Sequence, residues 1–298
     1  MQFQGIKQIG IIICFAAFGM LQSCDYVNTP YPKTGIVHIA PHAVVKKVLL
    51  EDFTASMCVN CPLAATVADN LRNNNPGRVI TIGVHACSLA APSGTAFPYD
   101  FRTTAGNYYN TTYIDGDNTG LPNGMVDMYP WDSTGTNPLP RSVGDYSASW
   151  TKDVNRRLSI PDSVYLQIDN VYTVSTRVLA STIKIKYLKT LPHSYKLVVL
   201  MTEDSISSPQ KTPSATINNY VHRYVLRGAI DGQPNGTGIP ITLAPAGSDS
   251  TTLQTINYTV PTAFPGAMSC NDNQCYIVAF LYDTITGDVL EVEEQKVR

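Results

Sequence analysis

Apolar and polar positions change their period several times along the chain. Residues 9–21 are uncharged and almost continuously apolar, and they follow a single positive charge at Lys7. This run is shorter than the roughly 20 residues that span a bilayer, but it has the length of a signal-peptide core. Residues 44–53 read as a largely buried strand, because Val48, Leu49 and Leu50 are consecutive and apolar. A helical pattern opens at Cys58 and runs through Ala64, Ala65, Val67, Ala68 and Leu71, with Pro62 tolerated in the first turn. Asn73, Asn74, Asn75, Pro76 and Gly77 end it. Residues 78–85 are again strand-like, so strand, helix and strand form a βαβ unit. Tyr146, Trp150, Val154 and Leu158 recur every fourth residue and predict an amphipathic helix. From Ile160 the habit is that of strands. Residues 163–171, 173–187, 196–202, 252–260, 275–282 and 289–297 are rich in β-branched residues and separated by turns.

The chain has 298 residues, 15% charged, with a net charge of −2. That near-neutral balance argues against a nucleic-acid partner. The length suits about two domains. Seventeen tyrosines against two tryptophans, with 20 glycines and 20 prolines, fit a β-rich exported protein. There are seven cysteines. Cys14 lies in the apolar run and Cys24 follows it. Cys58-Val59-Asn60-Cys61 is a CxxC pair, Cys270 and Cys275 flank a polar loop, and Cys87 is left over. A structural zinc site needs four ligands. No second CxxC or HxxxH lies near Cys58, and a site completed by His85 and Cys87 is the lesser reading, so neither metal nor cofactor is expected. Cys270 and Cys275 are expected to form a short structural disulfide, with a small local effect because its loop is short.

A CxxC inside a βαβ unit reads as redox-active. The first cysteine at a helix N-terminus is favoured as thiolate by the macrodipole, and the second is placed to resolve a mixed disulfide. The segment Asp52-Phe53-Thr54-Ala55-Ser56-Met57-Cys58 resembles thioredoxin, in which a buried acid precedes the nucleophile by six residues. That resemblance gives Asp52 the role of relaying a proton to Cys61. Asp52 is expected to point inward, with Glu51 and Phe53 on the opposite side. Gly120-Leu121-Pro122-Asn123-Gly124 resembles the stretch in which a cis proline faces the CxxC, which makes Pro122 a site residue. The stretch from Cys87 to Thr119 is longer than in thioredoxin and is expected to hold short helices and cover the CxxC.

Leu21-Gln22-Ser23-Cys24 resembles a bacterial lipobox, although Gln22 is atypical. An ordinary signal peptide with a chance cysteine is the alternative. The lipobox implies acylation of Cys24 and a membrane anchor with more than one acyl chain. Cys58-Val59-Asn60-Cys61-Pro62, Val84-His85-Ala86, the segment from Tyr220 to Gly228, and Gly287-Asp288-Val289-Leu290 are similar to the outer-membrane lipoproteins of Bacteroidota grouped with an Omp of about twenty-eight kilodaltons. Cys87 departs from that pattern, since a small residue is expected there. The apolar run and lipobox give a signal peptide at 1–23 and a tether at 24–43, and the seven or eight short strands suggest an all-β immunoglobulin-like sandwich at 160–298. The resemblance implies the same two halves, a thioredoxin-like α/β domain with a long insertion at 44–159 and a β-sandwich. It places the protein at the outer membrane, lipid-anchored, on the periplasmic or cell-surface face. His222, Arg223 and Arg227 read as structural, and Asp169 and Asp231 as solvated turn residues.

Two functions follow. One is thiol-disulfide exchange in the envelope, with Cys58 attacking, Cys61 resolving, Asp52 relaying the proton, and envelope proteins bearing thiols or disulfides as partners. The other is a surface binding or adhesion lipoprotein in which Cys58 and Cys61 form a static disulfide.

Overall fold

Alternation of side chains in strands explains how one sheet organises most of this chain. The computed structural model describes residues 44–114, 120–128, 146–243, 251–264, 266 and 268–298. The expected signal peptide, Cys24 and the tether lie outside the described residues. Strand β1 (Val48–Thr54), helix α1 (Cys61–Asn74) and strand β2 (Val79–His85) form the expected unit. β1 and β2 are parallel, with Val48 opposite Val79 and Thr54 opposite His85. The stretch after Cys87 contains a 3-10 turn at Ser88–Ala90 and helix α2 (Thr104–Tyr113). The Thr103 hydroxyl caps α2 by accepting the Gly106 N–H at 2.9 Å. The Leu121–Pro122 peptide is cis, and β3 (Asn123–Val126) then pairs antiparallel with β1. Helix α3 (Tyr146–Leu158) follows.

The remaining strands are β4 (Val164–Thr173), β5 (Val178–Tyr187), β6 (Tyr195–Glu203), β7 (Ile206–Lys211), β8 (Thr216–His222), β9 (Val225–Ala229), β10 (Ile239–Ile241), β11 (Thr251–Thr259), β12 (Ala263–Phe264), β13 (Met268–Ser269), β14 (Cys275–Asp283) and β15 (Val289–Lys296). The protein is mostly β and has several sheets. The largest runs β15-β14-β6-β9-β2-β1-β3, with β10 beside β6. β4, β5 and β11 form a second sheet, while β7 with β8 and β12 with β13 form two-stranded ribbons.

The strands after residue 160 therefore do not close into a body of their own. β9 pairs with β6 on one side and β2 on the other, so the largest sheet takes strands from both halves of the sequence. His42–Arg298 is one compact unit. The seam is tight at Gly83, whose N–H donates to the Tyr224 carbonyl at 2.8 Å. A Cβ at Gly83 would lie 2.9 Å from the Arg223 carbonyl oxygen.

Each face of the sheet has its own cover. Leu49, Phe53, Ile80, Ile82 and Val84 point to one side, where they share a core with Ala105 and Tyr109 of α2. Val48, Leu50 and Val79 point to the other, under Ala64, Ala68 and Leu71 of α1 and Trp150 and Val154 of α3. Farther along the sheet, Leu197, Val199, Met201, Ile277 and Ala279 pack against Val164, Leu166, Ile183 and Ile185 of the second sheet. Both faces of β1 are consequently buried, and every residue from Val48 to Phe53 is enclosed. A buried ionic knot fastens distant segments: Asp127 accepts from Arg157 Nε at 2.7 Å and from the Leu49 N–H at 2.8 Å, and lies 3.1 Å from Lys46 Nζ. Among the described residues, no helix is long and apolar enough to cross a membrane.

Candidate active site

The loop between β1 and α1 carries the CxxC. Cys58 and Cys61 are joined by a disulfide with their Cα atoms 5.4 Å apart. The helix opens at Cys61, not at Cys58 as the sequence pattern predicts, and Asn60 is its N-cap. Cys58 instead sits in a turn, its N–H donating to the Ala55 carbonyl at 3.0 Å. The partial positive charge of the helix terminus is therefore centred on Cys61 and reaches Cys58 less directly. Both sulfur residues are buried, Cys58 at 3% exposure.

The cover comes from a segment that the sequence reading left without a role. Ribbon β7–β8 lies over the CxxC loop. Gln210 Nε2 donates to the carbonyl oxygens of Cys58 at 2.9 Å and Ala55 at 3.2 Å, and the Lys211 N–H donates to the Ser56 carbonyl at 2.8 Å. On another edge of the loop the Met57 N–H donates to the Leu89 carbonyl at 3.2 Å. Leu121, next to the cis Pro122, shares one buried cluster with Cys58 and Cys61.

Strand parity puts Asp52 on the α1 face, with Val48 and Leu50. There it lines a cavity of about 30 Å³ together with Cys61, Thr81, His85 and His222. Burial, reinforced by the charge of Asp69 on α1, pushes the Asp52 carboxyl up to about 8. The carboxyl is thus largely neutral at pH 7. Glu51 does not escape to solvent on the opposite face. It is fully buried beneath α2, and burial with the nearby Asp127 charge raises it well above the usual carboxylate range. Asp231 is also buried: it accepts from the Val199 N–H at 3.1 Å and the Gln233 N–H at 2.9 Å, so it holds a turn in place and is not a solvated acid.

Two histidines complete the floor of the cavity. His85 ends β2 and His222 ends β8; their rings are 5.2 Å apart, and each packs on Phe101. Burial lowers His222 to about 4, and burial with the charges of His222 and Arg227 holds His85 well below its ordinary value. The sequence reading treated His222 as structural. Parity in β2 puts Thr81, Gly83 and His85 on the face of Asp52, a signal available in the sequence, but β8 is brought there only by tertiary folding.

Cys270 and Cys275 are not bonded in this structure; their sulfurs are 3.5 Å apart. A carboxylate oxygen of Glu203 lies within 4.8 Å of both, which gives three potential metal donors. The guanidinium of Arg227, 3.4 Å from Glu203, opposes a cation there. Cys87 packs half-buried against the cluster that holds the disulfide and takes no part in that bond.

The fold and the site define a mostly β protein with a buried CxxC disulfide beside its longest sheet. The family described as outer membrane protein Omp28 matches residues 118–298, more than half of the chain. The chain belongs to this family and is an outer-membrane protein. The CxxC lies N-terminal to the matched segment. Among solved structures, HBP35 of Porphyromonas gingivalis is similar in fold, with a TM-score of 0.61 at 14% identity over 86% of this chain and 76% of that one. A domain of the outer membrane lipoprotein Omp28 from Porphyromonas gingivalis gives a TM-score of 0.34 at 21% identity, over 47% of this chain and 93% of that one. No curated protein matches the chain.

Proposed function

We propose that the protein is a lipid-anchored thiol-disulfide oxidoreductase of the outer membrane, attached through Cys24, whose first half is a thioredoxin-like unit. One observation carries this reading: the Asp52 carboxyl, raised to about 8 by burial, lines the same cavity as Cys61 of the disulfide. The parallel β1–α1–β2 unit, the antiparallel β3 and the cis Pro122 support it.

The roles follow from position. Cys61 adjoins the acid, so Cys58 is the cysteine that bonds to substrate. A substrate thiolate attacks Cys58 Sγ, the Cys58–Cys61 bond breaks, and Cys61 leaves with the electron pair and takes the Asp52 proton. A second substrate thiolate then attacks its own sulfur in the mixed disulfide and expels Cys58 as thiolate. The substrate dithiol is oxidised, and the protein disulfide is reduced by the same two electrons. Run in reverse, Cys58 thiolate attacks a substrate disulfide, and Asp52 takes the proton of Cys61 as it resolves.

The second reading, a binding or adhesion lipoprotein with a static disulfide, draws on the 3% exposure of Cys58 beneath Gln210. Reduction of an insulin-type disulfide substrate, together with trapping by Cys61→Ser, separates the two. Exchange predicts catalysed reduction and mixed disulfides through Cys58. An unreactive disulfide and no trapped partner favour the static reading. Acylation of Cys24 is tested by mass spectrometry of the membrane-extracted protein and its Cys24→Ala form.

A further inference from the structure

The cavity beneath the disulfide contains an unusual concentration of polar atoms without partners. Asp52 Oδ1, Thr81 Oγ1, both ring nitrogens of His85 and Nε2 of His222 are buried and make no hydrogen bond to protein. All four residues line the one cavity. Each buried polar atom left unsatisfied costs about 1–3 kcal/mol, so five together approach the whole stability of a typical domain. Water is the usual remedy. A water needs roughly 10–15 Å³ of such space and two to four polar partners, and the cavity offers about 30 Å³.

We infer that the cavity is a hydrated proton passage, in which one or two ordered waters held by Thr81, His85 and His222 connect Asp52 and Cys61 with the protein surface. His222 and His85 are positioning residues in it, acting through the water and never on the substrate. The inference rests on the exchange reading for its use, though not for its geometry. Neutral imidazole both donates and accepts a hydrogen bond, so it holds a water in either orientation. The depressed titration of both histidines keeps them in that form at pH 7.

The outer end of the passage is formed by half-buried Asp69 of α1 and exposed Arg223, which follows β8. Tyr220 of β8 flanks it, and Arg227 of β9 acts on His85 from beyond. A proton given by Asp52 to Cys61 is thereby replaced from solvent without opening the core. Without such a path, the ionised Asp52 left when the protein disulfide is reduced would stay stranded beside Asp69.

Three measurements that start from the full oxidised protein test this. A high-resolution crystal structure should show water within hydrogen-bond reach of Asp52 Oδ1 and His222 Nε2; a dry or collapsed cavity overturns the inference. Titration of the Asp52 carboxyl by carbon NMR should move upward by about one pH unit in His222→Leu, because a hydration partner is lost, and return most of the way in His222→Asn. An unmoved Asp52 in His222→Leu also overturns it. If that variant does not fold, His85→Leu against His85→Asn gives the same comparison. Reduction of the disulfide by dithiothreitol should slow about tenfold in His222→Leu, equivalent to about 1.4 kcal/mol of barrier, and should be restored by His222→Asn. Equal rates in all three proteins overturn the role in proton transfer. Failure of the exchange reading looks different: substrate reduction and Cys61→Ser trapping are absent, while the water and the Asp52 response persist.

Discussion

Replacing Asp52 by Asn tests the electrostatics of the site, because the two proteins differ by one ionisation. The Asp52 carboxyl moves from an ordinary value of 3.8 to about 8 in the folded chain, first by burial and then by the Asp69 charge. At pH 7 the folded protein holds this proton and the unfolded chain has lost it. The folded state binds more protons, so stability falls with rising pH. The Asp52 contribution is fully present below pH 4 and is lost progressively as pH rises to about 8. At about 1.4 kcal/mol per unit, the loss between acid and pH 7 is about 4 kcal/mol, and at pH 5 it is about 2 kcal/mol. Asn cannot ionise and escapes this loss. Urea unfolding of the oxidised proteins should therefore show Asp52→Asn gaining about 2–3 kcal/mol on wild type between pH 5 and pH 7. Glu51, which burial also raises, is present in both proteins and cancels. The same variant should lose exchange rate by a factor of about 10²–10⁴, the usual worth of a positioned acid. A stability difference that does not change between pH 5 and pH 7 would refute the claim that the fold holds Asp52 neutral.

Other perturbations reach different parts of the argument. Gly124→Ala should destabilise by about 1–3 kcal/mol in chemical denaturation, because a Cβ there would lie 2.3 Å from Trp150 Cζ2 and 2.9 Å from the Glu51 carbonyl oxygen. Asp127→Ala should lower stability by about 3–5 kcal/mol in the same assay, since it removes the buried carboxylate that Lys46 and Arg157 share, while Arg157 keeps its pair with Asp288. Gln210→Ala removes the bonds from ribbon β7–β8 to the Cys58 and Ala55 carbonyls, and amide hydrogen exchange at Cys58 and reduction by a small thiol should both accelerate. Under oxidising conditions Cys270 and Cys275 should close to a disulfide, seen as loss of two hydrogens in the mass of that peptide. The sulfurs at 3.5 Å need only approach to about 2.05 Å.

Most of the site was legible because it is local. Asp52 lies six positions before Cys58, and the alternating pleat of β1 turns Asp52 toward the helix that opens at Cys61. Parity also puts Glu51 on the opposite face, but what covers that face is not legible in the sequence: α2 packs Tyr109 and Ala105 there from a stretch with weak periodicity. His222 was underestimated because Thr216, Ile217, Asn218 and Asn219 of β8 are exposed and give no sign that the strand ends in a core. Its significance depends on β9, which carries the chain from β8 into the long sheet between β2 and β6.

The sequence by itself determined the βαβ unit and the strand-rich character of the second half, which follow from 3.6- and 2-residue periods. Its resemblance to thioredoxin singled out Asp52 as an inward acid near Cys61, and the two line one cavity. Only the tertiary structure decided that the two halves share a sheet, that ribbon β7–β8 covers the disulfide and that His85 and His222 meet under it. Pairing between strands more than a hundred residues apart, such as β2 with β9, depends on backbone fit and not on local pattern. At Gly83 that fit is an approach close enough that a Cβ would lie 2.9 Å from the Arg223 carbonyl oxygen.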